Sequence, residues 1–260
     1  GTLTLGSISD VEATINSLGT NNFGTNALGV INNNVGIGNN ALASRTSGDY
    51  NVALGQDALT ANTTGAYNSA VGHQALYSNT TGQENNAYGY LALRSNTTGS
   101  LNNAFGYKSL EANTTGITNS AFGHTVMINN TTGKQNSAFG FEALYKNTTA
   151  DQNTAIGGRA LYNTTNGAEN TAIGFQAGYS NTTGRNNVFI GKDAGYNETG
   201  SNKLYISNGA SSNLITGDFS SGTLSLGQTS GTVTILNNAD IDGTLTLGSI
   251  SDVEATINSL

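Results

Sequence analysis

The sequence predicts a mainly β protein, a parallel β-roll or β-solenoid of about ten 17-residue rungs. Glycine recurs ten times at an unbroken period of seventeen from Gly38 to Gly191, and asparagine stands four residues before each of these glycines. The apolar residues sustain no three-four spacing, which disfavours helical repeats. Seventeen residues are also too few for a helix-turn-helix unit but suit one coil of a stacked solenoid.

Composition favours the same fold class. Of the 260 residues only 10% are charged, against about a quarter in ordinary globular chains, while Gly numbers 35 and Asn 38. Such a chain suits stacked side-chain ladders better than a compact enzyme. Proline is absent, as expected where nearly every backbone N–H joins a ladder. Cysteine is absent too, which excludes disulfides and thiolate metal sites.

Residues 1–20 are predicted to form a strand and a coiled-coil neck. Their apolar residues recur at spacings of three, four and three, an a/d heptad seam, and we expect it to form the neck of a trimer. About a dozen helical residues are not stable alone, so we expect β segments that are already trimeric to hold the neck. An amphipathic helix lying on its own roll is the alternative. The seam consists of Ile8, Val11, Ile15 and Leu18.

Residues 21–200 are predicted to form the roll. Each rung reads roughly N-[SNTV]-A-Φ-G-x-x-A-L-x-x-N-T-T-G-x-x, where Φ is apolar. We expect a strand, a turn, a second strand and a second turn in each rung, with rungs stacked at roughly 4.8 Å. The Φ and Leu columns should fill the interior, represented by Phe105, Phe122, Phe139, Ile156 and Ile173. The repeat ladders should include Asn51, Asn68, Asn85, Asn102 and Asn119, with Gly55, Gly72, Gly89, Gly106 and Gly123.

The Asn-Thr-Thr-Gly segment of each rung is predicted to be a turn. Asn tolerates left-handed dihedral angles, Gly supplies positive φ, and stacked Thr residues suit a β edge. Thr131 and Thr132 are expected at an exposed corner. Eight of these segments also match the N-x-[ST] glycosylation acceptor, so glycan attachment is the alternative interpretation of the motif.

The iterated N-[ST]-A-Φ-G-x-x-A pattern resembles the head repeats of trimeric autotransporter adhesins. The stretch "NNVFIGKDAGYNETGSNKLYISNGASSNLITGDFSSGTLSLG" resembles bacterial surface and phage tail-fibre proteins that carry such repeats. The resemblance covers about residues 24–227. It implies a left-handed parallel β-roll in a homotrimer. Rungs of seventeen are longer than those typical of the adhesin heads, and neither a membrane anchor nor a terminal chaperone is recognisable in the sequence.

Residues 201–248 are predicted to be a β connector, because short alternating strands there lie between Gly, Asn and Ser turns. Residues 249–260 then begin a second neck, since residues 243–260 repeat residues 1–18 letter for letter. The sequence therefore suggests a 242-residue unit of a tandem array, with units joined end to end. The second seam consists of Ile250, Val253, Ile257 and Leu260.

No catalytic or cofactor site is predicted. "GIGNNA" at Gly36–Ala41 matches a dinucleotide fingerprint, but no alternating strands and long helices surround it, so we assign it to the first rung. His73 and His124 share a column three rungs apart, about 14 Å at sheet spacing, too far to share a metal ion within one chain. The carboxylates are scattered, and no nucleophile–base pair can be nominated.

The expected function is a non-enzymatic structural or adhesive fibre, extracellular or on a virion tail, that extends an attachment tip. The net charge of −7 argues against nucleic acid and anionic membrane surfaces, and the sequence has no run of 18 apolar residues. If the parent protein is exported, we expect its signal and anchor to lie outside these 260 residues. A phage tail fibre that recognises a host receptor is the alternative, and an ice-binding solenoid is disfavoured by the neck and connector. Partners are further copies of the chain and, through other parts, a surface glycan or host receptor.

Overall fold

The computed structural model describes residues 33–227, which form one β-solenoid of about ten rungs at a spacing of seventeen residues. All thirteen strands lie in chain order in a single sheet, and no helix occurs among these residues. The predicted necks at residues 1–20 and 249–260 lie outside the described residues. The rung strands are β1 (Val35–Ile37), β2 (Val52–Leu54), β3 (Ser69–Val71), β4 (Asn86–Tyr88), β5 (Asn103–Phe105), β6 (Ser120–Phe122), β7 (Ser137–Phe139), β8 (Thr154–Ile156), β9 (Thr171–Ile173) and β10 (Val188–Ile190).

Each rung contains one three-residue strand, and the predicted second strand is wrong. The remainder of the rung runs through turns in which three non-glycine residues take left-handed dihedral angles, for example Leu101 (φ 62°), Lys108 (φ 54°) and Leu110 (φ 53°). The backbone still bonds to the next rung there: Leu110 N–H donates to Val126 O over 3.0 Å. Rung-to-rung hydrogen bonding therefore does not require strand geometry on every wall.

The interior is built from alanine and leucine. The central residue of each strand points inward, as Ala104 does, and meets leucines from the opposite wall such as Leu110; both are fully buried. The inward alanines of β2 to β9 are Ala53, Ala70, Ala87, Ala104, Ala121, Ala138, Ala155 and Ala172. The opposing column is Leu42, Leu59, Leu76, Leu93, Leu110, Met127, Leu144 and Leu161.

The prediction that the Φ column fills the interior is wrong. Successive side chains of a strand point to opposite faces, so an inward alanine at the centre of three residues places both of its neighbours outside. Phe105 and Phe122 are half-buried on the outer surface. Phe139, Ile156 and Ile173 are about 40% exposed there.

The glycine column marks the closest backbone approach between rungs. These residues have φ between 111° and 139°, a region that L side chains rarely adopt. A Cβ atom on Gly106 would also lie 2.1 Å from the carbonyl oxygen of Gly123, and the other members of the column face the next rung in the same way. Geometry and space both exclude a side chain. The five predicted members are Gly55, Gly72, Gly89, Gly106 and Gly123.

At the tenth rung the large interior side chain lies on the strand, and the small residues lie on the opposite wall, the reverse of the earlier rungs. Phe189 takes the inward place that alanine holds in β2 to β9, and it is fully buried. Gly178 and Gly195 take the leucine places on either side, with the same left-handed dihedral angle (φ 65° and 60°). Cβ atoms at these glycines would lie 2.6 and 2.2 Å from the Phe189 ring. One large residue thus fills the space of two leucines.

Three longer strands continue the sheet beyond the tenth rung. They are β11 (Lys203–Ser207), β12 (Asn213–Asp218) and β13 (Thr223–Leu226), which correspond to the predicted KLYIS, NLITGDF and TLSLG segments. β11 pairs with β10 in parallel, whereas β12 and β13 are antiparallel. The connector therefore begins as an eleventh parallel strand of the same sheet. The predicted TVTIL and GTLTLG strands lie outside the described residues.

An ion pair joins the first two of these strands. Lys203 Nζ lies 2.6 Å from Asp218 Oδ2 at directly opposed positions of β11 and β12. The hydrogen bonds from Lys203 and Ser220 hold the pKa of Asp218 well below its usual value, and the hydrogen bond to Asp218 raises the pKa of Lys203. Next to the pair, burial and a 2.7 Å hydrogen bond to Glu198 raise the pKa of Tyr205 to about 12.

Leu110→Ala and Leu101→Ala form a matched pair that tests this interior. Both leucines have left-handed backbones, but Leu110 is fully buried whereas Leu101 is 47% exposed. We expect Leu110→Ala to lower the free energy of unfolding by about 2–5 kcal/mol, the usual cost of a cavity. Leu101→Ala should change it by under about 0.5 kcal/mol. Urea denaturation measures both, and equal effects would contradict the assignment of the interior.

The exchange around Phe189 predicts strong coupling between two sites. Phe189→Ala should leave a cavity, and Gly178→Leu should clash with the Phe189 ring; each change alone destabilises the roll. Together they recreate the alanine and leucine of the earlier rungs. The double variant should therefore lose less stability than the two single losses combined, with a coupling of about 1–3 kcal/mol in a double-mutant cycle. Additive losses would show that the two positions do not share one space.

Candidate interaction surface

The predicted asparagine ladder lies inside the roll as a polar seam. Asn102 is representative: its Nδ2 donates to Gly116 O within its own rung (2.8 Å) and to Asn85 Oδ1 (3.2 Å). Its Oδ1 accepts the backbone N–H of Asn119 over 3.0 Å. Every buried polar group of this seam is thus paired, which burial of amides requires. The fully buried members include the five predicted ones, Asn51, Asn68, Asn85, Asn102 and Asn119.

A second asparagine ladder begins the Asn-Thr-Thr-Gly turns. Asn113 is fully buried, and its Nδ2 donates to Gly116 O (3.1 Å) and to Asn96 Oδ1 (2.8 Å). A glycan attached to this nitrogen would have to replace both hydrogen bonds and occupy the interior. These contacts therefore favour the predicted turn over glycan attachment at the buried positions. These are Asn62, Asn79, Asn96, Asn113, Asn130, Asn147 and Asn181.

The threonines that follow form the corner of the rung. Thr131 is half-buried, and its hydroxyl donates to Thr148 O of the next rung over 2.9 Å. Thr132 is exposed. The first threonine column is therefore part of the rung-to-rung bonding, and only the second is free to face solvent.

The most prominent surface feature is an apolar outer stripe that follows the whole sheet. In β1 to β10 it is the Φ column. Parallel register then aligns Ile190 with Ile206, and antiparallel register aligns Ile206 with Ile215 and Ile215 with Leu226. Opposed residues share a face of the sheet, so one unbroken stripe crosses thirteen strands. The outer stripe consists of Ile37, Leu54, Val71, Tyr88, Phe105, Phe122, Phe139, Ile156, Ile173, Ile190, Ile206, Ile215 and Leu226.

The central part of the outer stripe is an aromatic stack. Rings from Tyr88 to Phe139 lie with centroids 4.7–4.8 Å apart and interplanar angles of 1–6°. Each ring covers the faces of its neighbours, so the stack presents ring edges outward. A neighbouring column stacks in the same way, from His73 through Tyr90 and Tyr107 to His124.

Neither the outer stripe nor its flanking column on the strands carries a charge. The flanking column is the first residue of each rung strand, with Val at the two ends and Ser, Asn or Thr between, and it continues as Leu204, Gly217 and Leu224. Near the C-terminal end, Ile190, Ile206 and Leu214 border a cleft of about 590 Å³. The surface therefore combines an apolar stripe with a flanking column that is polar from β3 to β9, carries no charge and is indented at one end.

Titratable side chains are spread along the described rungs. Among residues 33–227, no three His, Cys, Asp or Glu side chains could hold one metal ion. His73 and His124 lie in one column as predicted, separated by Tyr90 and Tyr107 in the aromatic stack. Four carboxylates of the described residues pair with basic side chains, as Glu142 does with Arg159 over 2.7 Å. The segment Gly36–Ala41 is part of the first rung.

Comparisons with known proteins leave the chain without an assigned family. No protein-family model matches it, and neither a curated protein nor a solved structure does. In the part of the chain that the structure describes, no helix is long and apolar enough to cross a membrane.

Sequence reasoning missed the inward alanine column and therefore the outer stripe. A signal was available, because the alanine column hardly varies whereas the Φ column runs from Val71 to Tyr88 in adjacent rungs. An interior of fixed width tolerates little change in side-chain volume. The column of constant size should therefore have been placed inside.

Asn102→Ala and Asn103→Ala test whether the buried seam holds the rungs together. Removing the Asn102 amide leaves the buried Asn119 N–H without its acceptor and the Gly116 carbonyl with one donor instead of two, so we expect a loss of about 1–3 kcal/mol. Asn103 lies half-buried on the outer face and accepts one hydrogen bond, from Asn86. Its replacement should cost under about 1 kcal/mol. Chemical denaturation compares the two, and equal losses would contradict a special role for the seam.

Proposed function

We propose that the protein is a non-enzymatic structural module, a stiff spacer in an extracellular or virion fibre that holds an attachment tip away from its base. The observation that carries the proposal is the continuous sheet of thirteen strands whose hydrogen bonds all run along one axis. At roughly 4.8 Å per strand it extends about 58 Å. Uniform rung-to-rung bonding resists bending, and length grows with rung number.

The surface chemistry supports a spacer better than an enzyme. Carboxylates of the described rungs lie on separate turns, and three of them, Glu111, Glu142 and Asp193, pair with Lys or Arg at the surface. The largest group of buried polar side chains is the asparagine seam, and its hydrogen bonds join neighbouring rungs. The resemblance to adhesin heads and tail-fibre proteins agrees with this role, and it favours attachment to a cell or a host receptor through parts outside residues 33–227.

An ice-binding role has weaker support. Ice binding uses flat, repeated threonine rows, and the exposed column that includes Thr115 and Thr132 provides one such row. The neighbouring threonine column uses its hydroxyls within the roll. The exposed column two residues beyond is irregular, with Gln83, Ile117 and Lys134 in different rungs. One regular row beside an irregular one does not make a flat array.

Deletion of whole rungs tests the spacer role. Removing residues 85–152 takes out four periods of seventeen and rejoins Glu84 to Asn153, which restores the asparagine seam. We expect a folded chain whose maximum dimension, measured by small-angle X-ray scattering, falls by roughly 19 Å. Removing residues 85–144 instead breaks the period and should prevent stacking. A folded protein of unchanged length after the four-rung deletion would contradict the proposal.

Native filaments provide the second measurement. If 242-residue units are joined end to end, electron micrographs should show an axial period on the order of 90–110 Å, from the sheet, the remaining connector and a neck helix of roughly 18 Å. A period near 58 Å would mean that the connector and neck fold back beside the roll. Filaments without any axial period would overturn the tandem arrangement.

A further inference from the structure

We propose that four stacked tyrosines form an oxidative modification site, in which a one-electron oxidant joins Tyr179 to Tyr196 through a carbon–carbon bond. The four tyrosines occupy one column, five residues after the repeat glycine, in the seventh to tenth rungs. This chemistry goes beyond the spacer role and does not depend on it. The tyrosine stack consists of Tyr145, Tyr162, Tyr179 and Tyr196.

The rings of the tyrosine stack lie face to face, one rung apart. Their centroids are 4.9–5.2 Å apart, and their planes differ by only 2–10°. Because the rings are nearly parallel, each Cε carbon, ortho to the hydroxyl, faces the next ring at roughly the 4.8 Å rung spacing. The backbone keeps this register, since the N–H of Ser180 donates to the carbonyl oxygen of Tyr196 over 3.0 Å. The repeat therefore holds neighbouring phenols in position for coupling.

The phenol groups of the stack are open to solvent. All four side chains are half-buried, so each ring has room to tilt toward its neighbour. In the described part of the chain, their hydroxyl groups make no hydrogen bond to protein, and none of these oxygens is buried. Tyr205 differs, because its hydroxyl donates to Glu198 over 2.7 Å. The stack thus offers phenols that can give up an electron to an external oxidant and a proton to water.

Nearby cations decide which pair of the stack couples. Lys146 Nζ and Arg159 Cζ lie 5.6 and 5.9 Å from the centroid of the Tyr162 ring. Positive charge over a ring disfavours the loss of an electron from it. In the part of the chain that the structure describes, no Lys or Arg lies over the ring of Tyr179 or Tyr196. These two rings are also the closest and most nearly parallel of the stack, at 4.9 Å and 2°.

The coupling reaction balances with hydrogen peroxide as the oxidant and a haem peroxidase as its activator. Each phenol loses one electron and its hydroxyl proton, which leaves a radical with unpaired spin on its Cε carbons. Two radicals form one Cε–Cε bond, and the hydrogens on the joined carbons move through water to the oxygens, which restores both aromatic rings. The peroxide takes up two electrons and two protons and becomes two water molecules. The product ties the ninth rung to the tenth in a chain that has no cysteine for disulfides.

Other tyrosines of the chain provide internal comparisons. Tyr50 and Tyr67 stack at 5.0 Å and 4°, so this pair should couple as well. Tyr88 stacks equally closely, at 4.7 Å, but its neighbour is Phe105, which has no hydroxyl group. Stacking without a second phenol should give no product at Tyr88 in the folded protein.

Oxidation of the full chain with a haem peroxidase and hydrogen peroxide, followed by tryptic digestion and mass spectrometry, tests the site. Tyr179 lies in the peptide 160–185 and Tyr196 in the peptide 193–203. Their bond should join these peptides with a mass two hydrogen atoms below the sum. Tyr179→Phe keeps the ring and should abolish this product. Tyr162→Phe, in the same peptide and the same stack, should retain it, and loss of the product in both variants would contradict the assigned pair.

Two further measurements separate the folded geometry from general tyrosine reactivity. Chains unfolded in urea should give products spread over all the tyrosines, including Tyr88. In a mixture of unlabelled and ¹⁵N-labelled folded chains, the two joined peptides should always carry the same label. Equal product distributions with and without urea, or joined peptides of mixed label, would overturn the proposal. So would a folded chain that gives no joined peptides while added N-acetyltyrosine couples in the same solution.

Discussion

Axial hydrogen bonding between residues seventeen apart is the constraint on which the structure depends. Backbone groups on strand and turn walls alike bond to the next rung, and the buried asparagine amides repeat the same step. Any insertion that breaks the period would misalign both ladders at once. This explains why the glycine column, where adjacent backbones approach most closely, never shifts its position.

The interior shows how burial outweighs local backbone strain. Leucines such as Leu110 hold left-handed dihedral angles, which cost roughly 1–2 kcal/mol in a residue with a side chain. Full burial of a leucine contributes about 1.5–3 kcal/mol, and the hydrogen bonds to the next rung stabilise the same turn. Leucine therefore occupies this position in the rungs where the strand contributes only alanine to the interior. Where Phe189 fills it from the strand, glycine replaces leucine and relieves the strain.

The outer surface follows from this thin interior. Because alanine is the only strand residue that faces inward in most rungs, the larger apolar side chains of the strand lie outside. A single chain thus satisfies its polar groups internally and leaves an apolar stripe unpaired. This arrangement agrees with the proposed spacer, because the contacts between rungs lie within one chain.

The sequence by itself determined the solenoid, its rung length and the positions of its ladders, because a period of seventeen kept through ten glycines permits only stacked rungs. It also located the strands at residues 203–226. The tertiary structure decided which apolar column faces inward, since a three-residue strand is too short to reveal its buried face by alternation and the constant size of the alanine column was only an indirect signal. It likewise decided that β11 joins the sheet of the roll, because the parallel pairing of Ile190 with Ile206 depends on contacts in space that no local pattern encodes.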